Sequence, residues 1–273
     1  MRELAAGIYT AGPIVARIGA VPIARRIPYL ATPSGEATFE LPDPVRLTTI
    51  PTELTTAATD LALAVLAAPR VMYLSPWLSR SRWRAGLWCG ALGLLCASSA
   101  LGAVVHGLEL PAVTEERLWA PHYLMLGLTV SLFVVAAAYD WRGDALARRF
   151  LIPMLAAGGA FFAVTRLVAG TFLVFVVYEA AAMLFALGVY VTLEAHKRLP
   201  GAGVIAVGIA LNVVAATIQA TRAVRLTVVW PFDHNGVFHL VQMVALVVLV
   251  GGVGLGFASA RPAPPHPAEE LEG

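Results

Sequence analysis

The chain has 273 residues, 59% of them hydrophobic and only 13% charged, with a net charge of +2 at pH 7 and a mean hydropathy of +0.76. An ordinary soluble domain is about one quarter charged, so this composition excludes a water-soluble enzyme and a disordered tail protein, and so small a net charge leaves no basic face for a nucleic-acid partner. Eighteen arginines stand against a single lysine, Lys197, beside a loop, which excludes a retinal protein, whose Schiff base needs a lysine deep in a helix.

In chain order, residues 1–52 form a leader that lacks the continuous apolar core of a signal peptide, because Gly12-Pro13 and Pro22 interrupt it. It is expected to lie on the membrane surface, to cap the bundle, or to be left out in part by a downstream start codon. Seven windows of about 20 apolar residues follow, the length that crosses about 30 Å of hydrocarbon: 54–74, 86–106, 119–139, 150–169, 172–193, 203–223 and 236–258. The fold class is therefore all-α, a polytopic membrane protein with seven transmembrane helices in one bundle over residues 53–258. Residues 259–273, with four prolines and three glutamates, read as a disordered cytoplasmic tail. Cys89 and Cys96 share one face of one helix, too far apart along it for a disulfide, and serve packing.

Arginines give the expected orientation. The loop after span 1 holds Arg80, Arg82 and Arg84, the loop after span 3 holds Arg142, Arg148 and Arg149, and the loop after span 5 holds Lys197 and Arg198. The positive-inside rule then places the N-terminus outside a cell membrane and the C-terminus in the cytoplasm. Arg2, Arg17, Arg25, Arg26 and Arg46 in the leader run against it, partly offset by Glu3, Glu36, Glu40 and Asp43.

Ionisable side chains inside a span cost about 2.5 to 3.5 kcal/mol by insertion scales and mark function by default. Glu53 and Asp60, seven apart, fall on one face of span 1. His106 ends span 2, His122 opens span 3, Asn212 and Gln219 share a face of span 6, and His234, Asn235, His239 and Gln242 open span 7. With alternating span direction, Glu53, Asp60, His106, His122, Gln219, His234 and His239 all fall in the outer leaflet. A polar pocket there accounts for them, and imidazoles with carboxylates suit zinc or a related divalent ion.

Plainer roles stand beside this. His122 reads as an interfacial residue that keeps one nitrogen in water, and His234 as part of a turn with Asp233 or Asn235 capping span 7. Glu179, a third of the way into span 5, joins the pocket or pairs with Arg166. The inner halves of the spans read as almost wholly apolar, which favours a one-sided site over transport.

Seven spans, a histidine ending span 2 and the stretch Asp233-His234-Asn235-Gly236-Val237-Phe238-His239-Leu240-Val241-Gln242, together with Glu53 to Asp60, resemble the CREST superfamily, which groups alkaline ceramidases with the progestin and adipoQ receptors. The resemblance covers residues 50–258 and points to a bacterial branch of that superfamily. It implies a zinc-dependent intramembrane hydrolase acting on an amide or ester bond of a membrane lipid, with His106, His234 and His239 as ligands. Two departures follow. His234 precedes His239 by five rather than four, with Asn235 at the four-residue place, and Gly102 stands where the family has serine, with Ser99 a turn away. The acid expected at the start of span 3 is Glu115 or Glu116, and Asp60 or Glu53 is expected to stand in as proton acceptor. The alternatives are a non-catalytic receptor and a small cation or proton carrier.

Overall fold

The computed structural model describes residues 46–167 and 172–259. The leader up to residue 45 and the tail from residue 260 lie outside the described residues. Among the described residues there are seven α-helices: α1 Pro51–Leu74, α2 Arg82–Gly107, α3 Ala112–Arg142, α4 Asp144–Leu167, α5 Phe172–Ala195, α6 Ala202–Thr221 and α7 His234–Ala258. All seven are long and apolar enough to cross a membrane, and the chain is a multi-pass seven-helix membrane protein. Helices dominate because hydrocarbon offers the backbone no partners and a helix satisfies its own.

Local chemistry sets the helix ends. Pro51 sits in the first turn of α1, where its missing N–H costs nothing. The turn from α3 to α4 is Gly143, whose φ of 78° lies in the left-handed region that glycine adopts freely. Asp233 caps α7, its carboxylate accepting from the backbone N–H groups of Asn235 and Gly236 at 3.0 Å each. The α6 to α7 link folds back as a short hairpin, β1 Leu226–Thr227 against β2 Pro231–Phe232. Residues 46–48 run against the end of α2, with Leu47 bridged to Leu108, so the last part of the expected leader belongs to the bundle.

Helix neighbours form a closed ring, α1 to α2, α3, α5, α6, α7 and back to α1, with α4 packed mainly on the outside of α3. Leu63, Trp88, Val135, Tyr190, Ile205 and Phe257 fill the middle, all under 2% exposed. On α5, Val177, Leu184 and Val191 repeat every seven residues and face outward, as expected where lipid is the solvent.

The helices run past the apolar windows, and this corrects two expectations. Arg82 and Arg84 lie inside α2 and Asp140 inside α3, not in loops. The end opposite the α1 N-terminus is therefore not wholly apolar. Arg84 Nε donates to Asp140 Oδ1 at 2.5 Å, Tyr190 donates its hydroxyl to Asp140 Oδ2 at 2.9 Å, and the Arg84 guanidinium lies 4.3 Å from the Phe257 ring centroid. Both charged side chains are more than nine-tenths buried. Hydropathy windows miss such a pair because each member falls just outside the apolar average. Cys89 and Cys96 are free thiols facing carbonyls of α1, in keeping with packing.

Candidate functional site

At the end of the bundle where α1 begins, four helices bring titratable side chains together. Seven-residue spacing puts Glu53 and Asp60 on the face of α1 turned to the ring, while the last turn of α2 supplies His106. Glu53 Oε2 lies 2.6 Å from His106 Nδ1. Asp60, 4% exposed, has its Oδ1 3.4 Å from Nε2 of His239 on α7. The other nitrogen of His239 lies 3.1 Å from the Thr59 hydroxyl.

Bonding partners fix the proton on one imidazole and leave two tautomers for another. Thr59 Oγ1 lies within reach of the carbonyls of Thr55 and Thr56, at 3.0 and 2.9 Å, and of His239 Nδ1, and its one proton serves one of the three. In either tautomer the other ring nitrogen, Nε2, faces Asp60 Oδ1 at 3.4 Å: with a proton it points an N–H at the carboxylate, and without one it meets it as a second acceptor. His122 Nδ1 donates to the Ser98 carbonyl at 3.0 Å, which leaves its Nε2 as the remaining nitrogen. Trp119 stands between His106 and His122, its ring centroid 5.3 and 5.0 Å from theirs and nearly perpendicular to both.

All of these groups except Glu53 and the threonines line one cavity of about 270 Å³. Its polar end holds Asp60, His106, His122, His239, Asn235 and Arg222, and its far end is lined by Trp88, Leu92, Phe133, Leu246 and Leu249. His106 and Trp88 are 18 residues apart on α2, roughly 27 Å at 1.5 Å per residue. The cavity is thus long, narrow, polar at one end and apolar at the other.

Gly102 is part of this construction. A Cβ on it would stand 2.6 Å from Asp60 Oδ2, so the absence of a side chain there admits the carboxylate. The serine expected at this place by resemblance and the Asp60 carboxylate are alternatives for one volume.

The remaining expected residues are placed as follows. His234 begins α7 and lines the cavity mouth, with its Nδ1 3.8 Å from Asp233 Oδ2; five residues along a helix turn it away from the His239 face. Asn235, on that face, accepts from Gln219 Nε2 at 3.3 Å. Gln242, Gln219, Asn212 and Glu179 all line the cavity. Arg166 pairs with Glu116 at 3.0 Å, not with Glu179. Glu115 accepts from Trp119 Nε1 at 3.3 Å, and neither Glu115 nor Glu116 reaches the cavity. His122 is 9% exposed and lines the cavity rather than an interface. The signal for it was the run Trp119, His122, Leu126, Val130 and Phe133 at three- and four-residue steps, which marks one face of α3.

A model of a protein family of unknown function, DUF6962, matches residues 55–256. The chain belongs to the DUF6962 family. The matched stretch takes in nearly all of the bundle and every residue that lines the cavity, so what DUF6962 describes is the membrane domain. No curated protein and no solved structure matches the chain.

For a metal ion, the donor set of this DUF6962 chain fits in kind: imidazoles held at Nδ1 by a carboxylate, a carbonyl and a hydroxyl are the arrangement that prepares Nε2 for a cation. It does not fit in place. Among the described residues, no three His, Cys, Asp or Glu side chains stand together so as to hold one ion.

Proposed function

We propose that the protein is an intramembrane hydrolase that cleaves an amide or ester bond in a single-chain or double-chain amphiphile, with the polar end of the cavity at the outer face of the cell membrane and the C-terminus in the cytoplasm. The observation that carries this reading is the cavity itself, polar at one end, apolar over the rest, with Asp60 and His239 3.4 Å apart in the polar wall. An acyl or alkyl chain matches the narrow apolar length, and the scissile carbonyl then lies among the imidazoles. The likeness to the CREST superfamily supports the same chemistry.

Water attacks the carbonyl carbon and gives its proton to the Asp60 and His239 pair. The carbon to nitrogen or carbon to oxygen bond then breaks, and the pair returns the proton to the leaving group. Glu53 orients His106 and Thr59 orients His239, the role an outer partner plays in any acid-base histidine. Zinc, which the resemblance implies, would polarise the carbonyl when bound; the ligand placement above speaks against a preformed site for it.

The test is turnover of long-chain amides and esters by the protein in detergent. Asp60→Asn and His239→Ala are expected to lose at least about 100-fold, the usual range for a positioned acid-base group. Binding of these amphiphiles without turnover by the parent would sink the hydrolase and support the receptor reading. Elemental analysis of the same samples decides the metal: zinc near one per chain, lost in His106→Ala and His239→Ala, establishes a metal-dependent form.

One observation favours a second reading, a proton or cation carrier. The cavity reaches Trp88, one turn from Arg84 and its buried partner Asp140, so ionisable groups stand at both ends. Proton uptake into liposomes that is abolished by Asp60→Asn and by Asp140→Asn would establish it.

A further inference from the structure

Glu179 is the one carboxylate in the cavity wall that takes no part in the Asp60 and His106 arrangement. It lies on α5 between Phe175 and Met183, each one turn away, and the three form the ridge of α5 that lines the cavity. Glu179 is 5% exposed, and its Oε2 is fully buried with no hydrogen-bond partner. Arg166, the nearest candidate by sequence, is engaged with Glu116 instead. A carboxyl oxygen with no donor, inside a membrane span, costs free energy that none of the described residues offsets. Leucine in its place would avoid that cost, so the residue is legible as one half of a contact whose other half comes from outside.

Gln219 on α6 repeats the pattern. Its Nε2 is used by Asn235, while its Oε1 is buried and has no donor. Two acceptors in one cavity lack N–H or O–H partners, and both residues line it. The occupant therefore brings donors to a polar level set within the membrane.

We propose that Glu179 is a specificity residue that accepts a hydrogen bond from an N–H or O–H group on the bound amphiphile, so that the cavity selects chains carrying a donor over chains of equal length without one. This rests on the amphiphile-binding part of the function proposed above and not on hydrolysis. It also orders the substrates: a secondary amide, which has an N–H, ranks above an ester or a tertiary amide, which have none.

The experiment is equilibrium binding to the full chain in detergent of three probes with one chain length: a long-chain secondary amide, its N-methylated tertiary amide and the matching ester. The parent is expected to bind the secondary amide about tenfold tighter than the other two, the equivalent of about 1.4 kcal/mol. Glu179→Leu is expected to abolish that preference, and a thermal-unfolding midpoint in detergent at or above the parent's shows that the variant is folded. Glu179→Gln keeps a carbonyl acceptor and is expected to keep the preference. Equal binding of the three probes by the parent, or a preference that survives Glu179→Leu, overturns the proposal. Because the readout is binding, a parent that discriminates without turnover removes only the hydrolase reading, and a parent that turns over all three alike removes only this one.

Discussion

The Asp60 carboxylate fills the place where a side chain on Gly102 would go: a Cβ there would stand 2.6 Å from Oδ2 and 3.0 Å from Cγ. α1 and α2 are thus fitted to each other at the level of Asp60 by one missing methyl group. Gly102→Ser is expected to push Asp60 away from His239, cutting turnover about as far as Asp60→Asn does. The overpacking adds a stability loss of about 1–3 kcal/mol. Parallel turnover and thermal-unfolding measurements in detergent check both, and a fully active Gly102→Ser would show that Asp60 does not act where it stands.

His122 and His234 exchange the ranks that sequence spacing assigns them. His122 is buried with its Nδ1 on the Ser98 carbonyl, whereas His234 sits at the cavity mouth beside Asp233. His122→Ala is expected to lower turnover at least about tenfold, a barrier change of about 1.4 kcal/mol, and His234→Ala by less. Steady-state rates of the two variants, side by side, give the ranking.

That exchange marks how far the sequence could be read. The seven spans, the shared level of Glu53, Asp60, His106 and His239, and the cavity positions of Gln219, Asn235 and Gln242 follow from helical spacing, alternating span direction and the rarity of polar groups in hydrocarbon, whereas for Glu179 the sequence leaves the pocket and a pairing with Arg166 both open. His122 was legible only in part: its steps to Trp119, Leu126, Val130 and Phe133 mark one face of α3, but a helix-end histidine looks the same in sequence whether its ring turns to water or to a neighbouring carbonyl. The pairing of Arg84 with Asp140 was hidden for a related reason. Charged residues at the ends of apolar windows are assigned to loops, and only packing shows that α2 and α3 each continue by a turn. Gly102 was visible as a departure from the family pattern, but its meaning depends on a side chain from another helix.

Thr59 supports a sharper test of orientation than of chemistry. Its hydroxyl is the partner of His239 Nδ1. Thr59→Val keeps the shape and removes the hydroxyl, so His239 Nδ1 is left buried without its partner, at a cost of about 1–3 kcal/mol. Thr59→Ser is expected to stay near the parent. Unfolding midpoints in detergent for the two variants separate the hydroxyl from the methyl group.

The Arg84 and Asp140 pair predicts a non-additive result. Asp140→Leu alone strands a guanidinium in the core and is expected to cost about 3–5 kcal/mol, whereas Arg84→Met combined with Asp140→Leu is expected to be close to neutral. A double-mutant cycle by unfolding in detergent reads the coupling.

The two ends of the ring are fastened by different kinds of bond. At the site end the seam between α1 and α7 is closed by hydroxyls: Thr55 to the Pro231 carbonyl at 2.8 Å, Thr56 to Asp233 at 3.2 Å and Thr59 to His239 at 3.1 Å. Each is worth about 1 kcal/mol net. At the other end Arg84, Asp140, Tyr190 and Phe257 tie four helices through a buried charge pair. The charge cluster includes no residue of α1, so of these contacts it is the three hydroxyl bonds that hold α1, and they do so at the level of Asp60 and His239.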